Sequence, residues 1–150
     1  MTLVQLDKDP ITDDFNKEQD LSDYIMLNIE KFTNEILEDE FISAEENKPI
    51  LKRHNFGARG KRVDIYIIGK QFNHIVELKN PINPAANKYG IGQLLDYARE
   101  LRSLTKETKL ILLTTKYDTS TAKTIKHFNL PIRYVFFSKD KVMEYIKDAR

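Results

Sequence analysis

Residues 62–79, RVDIYIIGKQFNHIVELK, contain two apolar runs separated by a turn, and they predict the centre of a β-sheet. In the first run apolar residues alternate with their neighbours, which is the period of a strand with one buried face. The apolar residues that share this face are Val63, Ile65 and Ile67. Gly69 and Lys70 are typical turn residues. The stretch therefore predicts strands over 62–68 and 72–78, paired as a hairpin or as part of a meander.

Outside this hairpin, the hydrophobic period predicts four helices and three further strands. The predicted helices cover residues 21–38, about 90–103, 119–128 and 139–147. The predicted strands cover 50–56, 110–113 and 132–137, and the predicted loops include 47–49 and 80–89. The order α-β-β-β-α-β-α-β-α predicts one α/β domain with a mixed sheet between helices.

Charge is distributed unevenly along the 150 residues, although the formal net charge is only +1. Residues 1–50 contain 4 basic and 14 acidic residues, whereas residues 51–150 contain 20 basic and 9 acidic ones. Residues 1–20 lack a clear period, so we expect an acidic N-terminal arm or irregular start before a single domain over 21–150. The excess of basic residues in 51–150 permits one surface to contact a polyanion. The near-neutral net charge of the chain nevertheless argues against indiscriminate coating of nucleic acid.

The sequence contains no cysteine, which excludes disulfides, cysteine-held zinc, iron–sulfur clusters and thiol nucleophiles. No apolar run approaches the roughly 18 residues of a membrane-spanning helix, and the first residues lack the pattern of a secretory signal peptide. We therefore expect a cytoplasmic protein without membrane association. No phosphate-binding loop, dinucleotide fingerprint or Ser-His-Asp order stands out either.

Three ionisable residues, Asp64, Glu77 and Lys79, fall at one end of the predicted hairpin. Side chains two positions apart on a strand share a face, and pairing through the turn brings Asp64 near the register of Glu77. Each residue alone is typical of a solvated position or a surface ion pair. Here, however, Glu77 and Lys79 follow an apolar run, where ionisable groups must be paired, metal-bound or functional. Two carboxylates with water can hold Mg²⁺ or Mn²⁺, and an adjacent lysine can orient or deprotonate water.

The segments Arg62-Val63-Asp64 and Glu77-Leu78-Lys79 resemble the motif of the PD-(D/E)XK nuclease superfamily, with valine in place of the usual proline. Gln93 and Tyr97 match the Q-x-x-x-Y element of RecB-like members. The pattern over 110–134 is also similar to that of Holliday-junction-resolvase-like and Mrr-like members. The resemblance covers residues 21 to about 137. It implies a restriction-endonuclease-like α/β fold, a mixed sheet flanked by helices with an αβββαβ core and a C-terminal αβα extension.

The resemblance implies a metal-dependent phosphodiesterase, with DNA as the expected substrate and endonucleolytic cleavage as the expected reaction. By this resemblance Asp64, Glu77 and the carbonyl group of Leu78 hold Mg²⁺, for which Mn²⁺ can substitute. Lys79 positions and activates the attacking water, while the metal stabilises charge on the phosphate.

Other positions are expected to complete such a site. Gln93 and Tyr97 lie four residues apart on one helix face and would orient the lysine, the water or the scissile phosphate. Members of the family often add a glutamate from the first helix; Glu30, at the border of the apolar stripe, is the expected residue, and Glu35 is the alternative. A basic cluster before Asp64 is expected to contact the phosphate backbone. Its members are Lys52, Arg53, Arg59, Lys61 and Arg62.

The chain shows no recognisable specificity domain, so we expect DNA structure, a second subunit or a partner protein to supply specificity. The resemblance also implies a homodimer, since many relatives dimerise to cut two strands. Two alternatives remain open. A nuclease-like fold can be a non-catalytic module that binds nucleic acid or protein, although none of the core acidic and lysine residues is missing here. The same site can cleave RNA, because the metal contacts only a phosphate.

Overall fold

The computed structural model describes residues 2–5, 18–49, 62–79, 85–101, 105–115, 117–138 and 141–145. The helical segments are α1 (Glu18–Leu27), α2 (Ile29–Lys31), a π-helical turn (Phe32–Ile36), α3 (Ala85–Glu100) and α4 (Thr119–His127). The strands are β1 (Thr2–Gln5), β2 (Phe41–Pro49), β3 (Arg62–Gly69), β4 (Phe72–Lys79), β5 (Glu107–Thr114), β6 (Ile132–Ser138) and β7 (Lys141–Tyr145). The order α1, β2, β3, β4, α3, β5 confirms the predicted αβββαβ core.

Across the described segments the strands form one seven-stranded mixed sheet in the order β1-β7-β6-β5-β4-β3-β2. β2, β3 and β4 form an antiparallel meander, and β4, β5 and β6 run parallel to one another. β7 and β1 then add two antiparallel strands at the far edge. Helices pack on both faces, which confirms the expected α/β class. None of the helices in the described segments is long and apolar enough to cross a membrane.

Each face of the sheet carries its own hydrophobic cluster, and β4 contributes to both. Val76 and Leu78 pack in the cluster that contains α1 and the π-helical turn. Ile75 packs in the other cluster, beneath α3 and α4. Because side chains alternate along a strand, Glu77 and Lys79 lie on the same face as Ile75. The end of β4 that carries Glu77 and Lys79 is therefore covered by α3.

Most predicted elements are confirmed with small changes of boundary. The two strands of the hairpin each extend by one residue, and α4, β5 and β6 lie where the hydrophobic period placed them. The predicted helix over 21–38 begins at Glu18 and is interrupted at Asn28. There the Asn28 side chain donates a hydrogen bond to the carbonyl of Tyr24 at 2.9 Å. The amide group thus bonds within its own helix, and the chain continues as α2 and the π-helical turn.

Two predictions at the chain ends are wrong. The predicted helix over 139–147 is instead the strand β7, paired with β6 on one side and β1 on the other. Residues 2–5, inside the expected irregular arm, supply that partner, with Leu3 opposite Met143. The partner is about 140 residues away in sequence, and such nonlocal pairing outweighs a weak local pattern. Residues 6–17 lie outside the described part of the chain.

Two loop predictions are also wrong. Residues 47–49 end strand β2, and the strand predicted over 50–56 falls outside the described residues. α3 begins at Ala85, so the second half of the predicted 80–89 loop is helical, and the helix ends at Glu100 rather than at 103. No apolar period marks this first turn because its buried contact is polar. Asn87 Nδ2 donates to Thr121 Oγ1 at 3.1 Å.

A buried carboxylate, that of Asp39, fixes the turn between β3 and β4. Its Oδ1 accepts hydrogen bonds from the backbone N–H groups of Glu40 and Gln71 at 2.9 and 3.0 Å. Its Oδ2 accepts from the Phe72 N–H at 3.0 Å and lies 2.9 Å from His74 Nε2. Burial by itself raises the pKa of Asp39, but the hydrogen bonds from Gln71, His74 and Phe72 hold it below its ordinary value. Asp39 therefore connects the segment that follows the π-helical turn to the hairpin of β3 and β4.

Replacement of Gly69 with alanine should destabilise the protein, because this glycine leaves room for Asp39. A Cβ at Gly69 would overlap the Asp39 carboxylate and lie 3.1 Å from the Phe72 carbonyl oxygen. We expect Gly69→Ala to lower the free energy of unfolding by about 3 kcal/mol in urea denaturation. Gly92→Ala is the control, since no atom lies within 4 Å of its added Cβ. Its stability should rise by up to about 1 kcal/mol. Equal stability of the two variants would contradict this account of the turn.

Candidate active site

The ionisable residues of the hairpin meet where β3 and β4 separate. The pairing of the two strands ends at Ile65 and Val76. Beyond that pair the N–H of Leu78 donates to Asp64 Oδ2 at 2.8 Å, so a side chain takes the place of a backbone acceptor on β3. Asp64 is held in this way at the open end of the ladder, close enough to Glu77 for the two carboxyl groups to interact.

Glu77 is buried at this end of β4, with 2% of its surface exposed. Its Oε2 lies 3.4 Å from Lys79 Nζ, whereas its Oε1 is buried without a hydrogen-bond partner. Burial first, and then the negative charge of Asp64, raise the pKa of Glu77 to about 8 against the opposing effect of Lys79. Glu77 therefore combines an unsatisfied buried oxygen with a neighbouring carboxylate, an arrangement that a bound cation would relieve.

Lys79 is fixed by contacts along its length and is buried. Its Nζ lies 3.4 Å from Glu77 Oε2 and 5.6 Å from the centroid of the Tyr89 ring. Gly90 on α3 leaves room for the Lys79 side chain, because it has no Cβ. A Cβ there would lie 3.2 and 3.3 Å from Lys79 Cε and Cγ, and 2.9 Å from Leu112 Cδ1. The close approach of α3 thus holds the lysine amine beside the carboxylates.

The Q-x-x-x-Y pair lies on α3 next to these groups. Gln93 Nε2 donates to Tyr97 Oη at 3.3 Å, and Gln93 Oε1 is buried without a hydrogen-bond partner. Burial first, and then the charge of Glu77, raise the pKa of Tyr97 to about 12, with a further contribution from Asp64. The phenol therefore keeps its proton near neutral pH and lies within electrostatic range of both carboxyl groups.

The first-helix glutamates do not join this site. Glu30 is exposed on α2, and its neighbour Ile29 packs against the hydrophobic cluster on the opposite face of the sheet. Glu35 is also exposed and lies 4.0 Å from the amine of Lys31. Within the described ranges, no group of three or more His, Asp or Glu side chains is placed to hold a metal ion. The structure brings Asp64 together with the β4 residues, but not with Glu30.

Of the predicted phosphate-binding cluster, Lys52, Arg53, Arg59 and Lys61 lie outside the described residues. Arg62 is exposed at the start of β3, where its Nη1 donates to the Asn47 carbonyl at 3.1 Å. Arg62 also lines a cleft of about 510 Å³ along α3. The other lining residues are Lys88, Tyr89, Gly92, Gln93, Asp96 and Tyr97. The cleft shares Gln93 and Tyr97 with the site, so the two are continuous.

Sequence reasoning missed two residues that shape the site, Tyr89 and Gly90. Both fall at the boundary where the predicted 80–89 loop met the predicted helix, so no contact with Lys79 was expected of them. A signal was nevertheless present. Glycine inside a helix costs stability, so Gly90 and Gly92 in an otherwise helical pattern indicate either a close approach or a need for space.

The oxygen atoms at this end of β4 suit a hard divalent cation. Asp64 and Glu77 provide two neighbouring carboxyl groups, and the buried Oε1 of Glu77 has no hydrogen-bond partner. The N–H and C=O groups of one strand residue point to the same side of the strand. Because the N–H of Leu78 points at Asp64 on β3, the carbonyl group of Leu78 is also directed towards the β3 side of β4. Two carboxylates, one carbonyl and water are an ordinary donor set for Mg²⁺ or Mn²⁺.

No protein-family model matches the chain, and no curated protein matches it. Among solved structures, the chain is similar to the small subunit of the heterodimeric restriction endonuclease R.BspD6I, with 12% sequence identity and a TM-score of 0.42. The alignment covers 82% of this chain and 72% of that subunit.

Proposed function

We propose that the protein is a metal-dependent nuclease of the PD-(D/E)XK type that hydrolyses phosphodiester bonds in DNA. The observation that carries this proposal is the unsatisfied Oε1 of Glu77, buried beside Asp64 and next to the Lys79 amine. Two carboxyl groups packed this closely resist being ionised together unless a cation neutralises them. A lysine fixed at the same place provides the remaining group that phosphodiester hydrolysis needs.

Mg²⁺ is the expected cation, and Mn²⁺ should replace it, because both prefer oxygen ligands. Asp64, Glu77 and the Leu78 carbonyl would hold the ion, and water would complete its coordination. When bound, such an ion stabilises negative charge on the phosphate and lowers the pKa of a coordinated water. Glu77 must lose its proton to act as a ligand, so cation binding should be accompanied by proton release.

The protein's own groups would position the reactants. Lys79 would orient the attacking water, and its contacts with Tyr89 and Gly90 keep the amine from moving away. Tyr97 retains its proton and would donate a hydrogen bond to the water or to a phosphate oxygen. Gln93 holds the Tyr97 hydroxyl in place, since its amide donates to that oxygen.

Removal of divalent cations should abolish cleavage. We expect the purified protein to degrade at least one substrate from a panel of single-stranded, duplex and branched DNA in Mg²⁺ or Mn²⁺, with none cut in EDTA. Asp64→Asn removes one ligand charge and should lower the rate at limiting Mg²⁺ by at least roughly 10- to 100-fold, the loss that removal of a hydrogen-bond partner of a metal ligand already causes. Gel analysis of end-labelled substrates measures both effects. Cleavage that persists in EDTA would contradict the proposal.

RNA belongs in the same panel, because the proposed site would act on a phosphate in either polymer. Preferential cleavage of RNA would keep the chemistry and change the substrate. Binding of DNA with no cleavage in any cation would instead favour a non-catalytic binding module. A homodimer or a partner protein that supplies specificity is best examined by measuring the mass of the protein in solution with and without DNA.

A further inference from the structure

We infer that the cleft beside α3 holds an unpaired nucleotide of the substrate strand, so that the enzyme acts on single-stranded or locally unpaired DNA. This inference rests on the proposed function for the identity of its ligand. The cleft has a volume of about 510 Å³, within the roughly 300–1,000 Å³ typical of small-ligand sites. Its α3 residues recur at the spacing of one helix face, over two turns of the helix. They are Lys88, Tyr89, Gly92, Gln93, Asp96 and Tyr97.

Gly92 indicates that the space in this cleft is used. It lies in the middle of α3, where glycine lowers helix stability relative to alanine. The neighbouring Gly90 is explained by the close approach of Lys79 and Leu112. No such contact explains Gly92, because nothing lies within 4 Å of a Cβ added there. The absent side chain leaves open volume in the wall of the cleft, next to Gln93.

Tyr89 provides an aromatic surface for a base. It is 70% exposed, which is unusual for so large an aromatic side chain, and it lines the cleft. Its ring also lies 5.6 Å from Lys79 Nζ, so a base stacked on it would sit beside the proposed site of hydrolysis. Bases stack on aromatic side chains without sequence preference, because every base has a π face.

Polar groups at the cleft match the rest of a nucleotide. Arg62 and Lys88 provide positive charge for a phosphate. The side chains of Gln93 and Asp96 line the cleft and provide hydrogen-bonding groups for a base edge, and Asp96 Oδ1 also lies 3.6 Å from Arg99 Nη2. A base inside a duplex is already stacked on both faces and paired at its edge. Entry into the cleft therefore requires a base that is unpaired or displaced from the helix.

Binding measurements on cleft variants test this inference. Fluorescence anisotropy in EDTA at fixed salt would give the Kd for a short labelled single-stranded DNA and for the same sequence as a duplex. We expect Gly92→Leu and Tyr89→Leu to raise the single-strand Kd roughly tenfold, and Tyr89→Phe, which keeps the ring, to change it less than about twofold. The duplex Kd should change little. Gly92→Leu should also raise Tm by roughly 3 °C, so weaker binding cannot be due to unfolding.

Two outcomes would overturn the assignment of the cleft. One is an unchanged single-strand Kd in Gly92→Leu, and the other is an equal loss of duplex and single-strand binding. Cleavage assays separate this failure from that of the proposed function. Cleavage of DNA by a Gly92→Leu protein that binds single strands normally would leave the nuclease proposal standing and remove the nucleotide site. Single-strand binding that depends on Gly92 and Tyr89, without cleavage in Mg²⁺, would support the nucleotide site and contradict the nuclease proposal.

Discussion

Lys79→Met is expected to reduce the single-turnover rate of DNA cleavage in saturating Mg²⁺ by about 10²- to 10⁴-fold, the usual contribution of a positioned acid–base group. Methionine retains much of the apolar stem that packs against Gly90 but lacks the amine that lies 3.4 Å from Glu77 Oε2. The variant should therefore fold and bind DNA while the chemical step fails. Quenched-flow or gel assays at saturating protein measure that step directly.

Lys109→Met provides a matched control. On β5, Lys109 lies opposite His74, whereas Thr114 lies opposite Lys79. Lys109 and Thr114 are five residues apart along β5, so Lys109 lies on the order of 16 Å from the strand position next to Lys79. Its amine pairs with Glu107 at 2.7 Å, away from the carboxylates of the site. The control removes one positive charge without touching the proposed chemistry and should cleave at a rate near that of the wild type. Similar losses in both variants would show that Lys79 acts through overall charge, not at the site.

Glu77→Gln is expected to stabilise the metal-free protein at alkaline pH. The pKa of Glu77 is raised from 4.5 to about 8 by burial and by Asp64. Stability due to the protonated carboxyl is therefore complete below pH 4.5 and is lost as pH rises towards about 8. At pH 9 the free energy of unfolding of the variant should exceed that of the wild type by an amount on the order of 4 kcal/mol, and near pH 5 the two free energies should be similar. Urea denaturation in EDTA across this pH range measures the difference.

The control for this prediction is Glu107→Gln, which removes a carboxylate that is 63% exposed and paired with Lys109. Water solvates that group in the folded and unfolded chain alike, so the pH dependence of the wild type should remain in place. If the stability of the wild type and that of the Glu77→Gln variant changed in parallel with pH, the pKa of the buried Glu77 carboxyl would not be raised. The same Glu77→Gln variant should also lower Mg²⁺-dependent cleavage, because an amide oxygen is uncharged and is therefore a weaker ligand for Mg²⁺ than a carboxylate.

The hairpin and the placement of its ionisable residues could be predicted because both depend on local alternation. A period of two predicts which residues of 62–79 share a face, and the turn at Lys70 and Gln71, one residue beyond the predicted position, sets the register of the two strands. Glu77 and Lys79 accordingly lie together, with Asp64 beside them, as predicted. The four-residue spacing of Gln93 and Tyr97 likewise predicted a shared helix face, and their side chains are hydrogen bonded.

Predictions failed where structure depends on distant partners or on polar contacts. β7 forms because β6 and β1 flank it, and nothing within residues 139–147 identifies those strands. The first turn of α3 is held by Asn87 and Thr121 rather than by an apolar stripe. Glu30 was placed at the site by its position beside the apolar stripe, but that stripe packs on the opposite face of the sheet from the carboxylates.

The mixed α/β core and the convergence of two carboxylates and a lysine at one strand end follow from the amino-acid sequence alone, because alternation along strands and three- to four-residue steps along helices are local properties. Packing of distant elements sets which of those groups is desolvated and which residues surround them. The burial of Glu77, its unsatisfied Oε1 and the close approach of Gly90 to Lys79 all arise when α3 packs on β4. Desolvation and steric fit depend on every neighbouring element at once, and no single stretch of the chain encodes them.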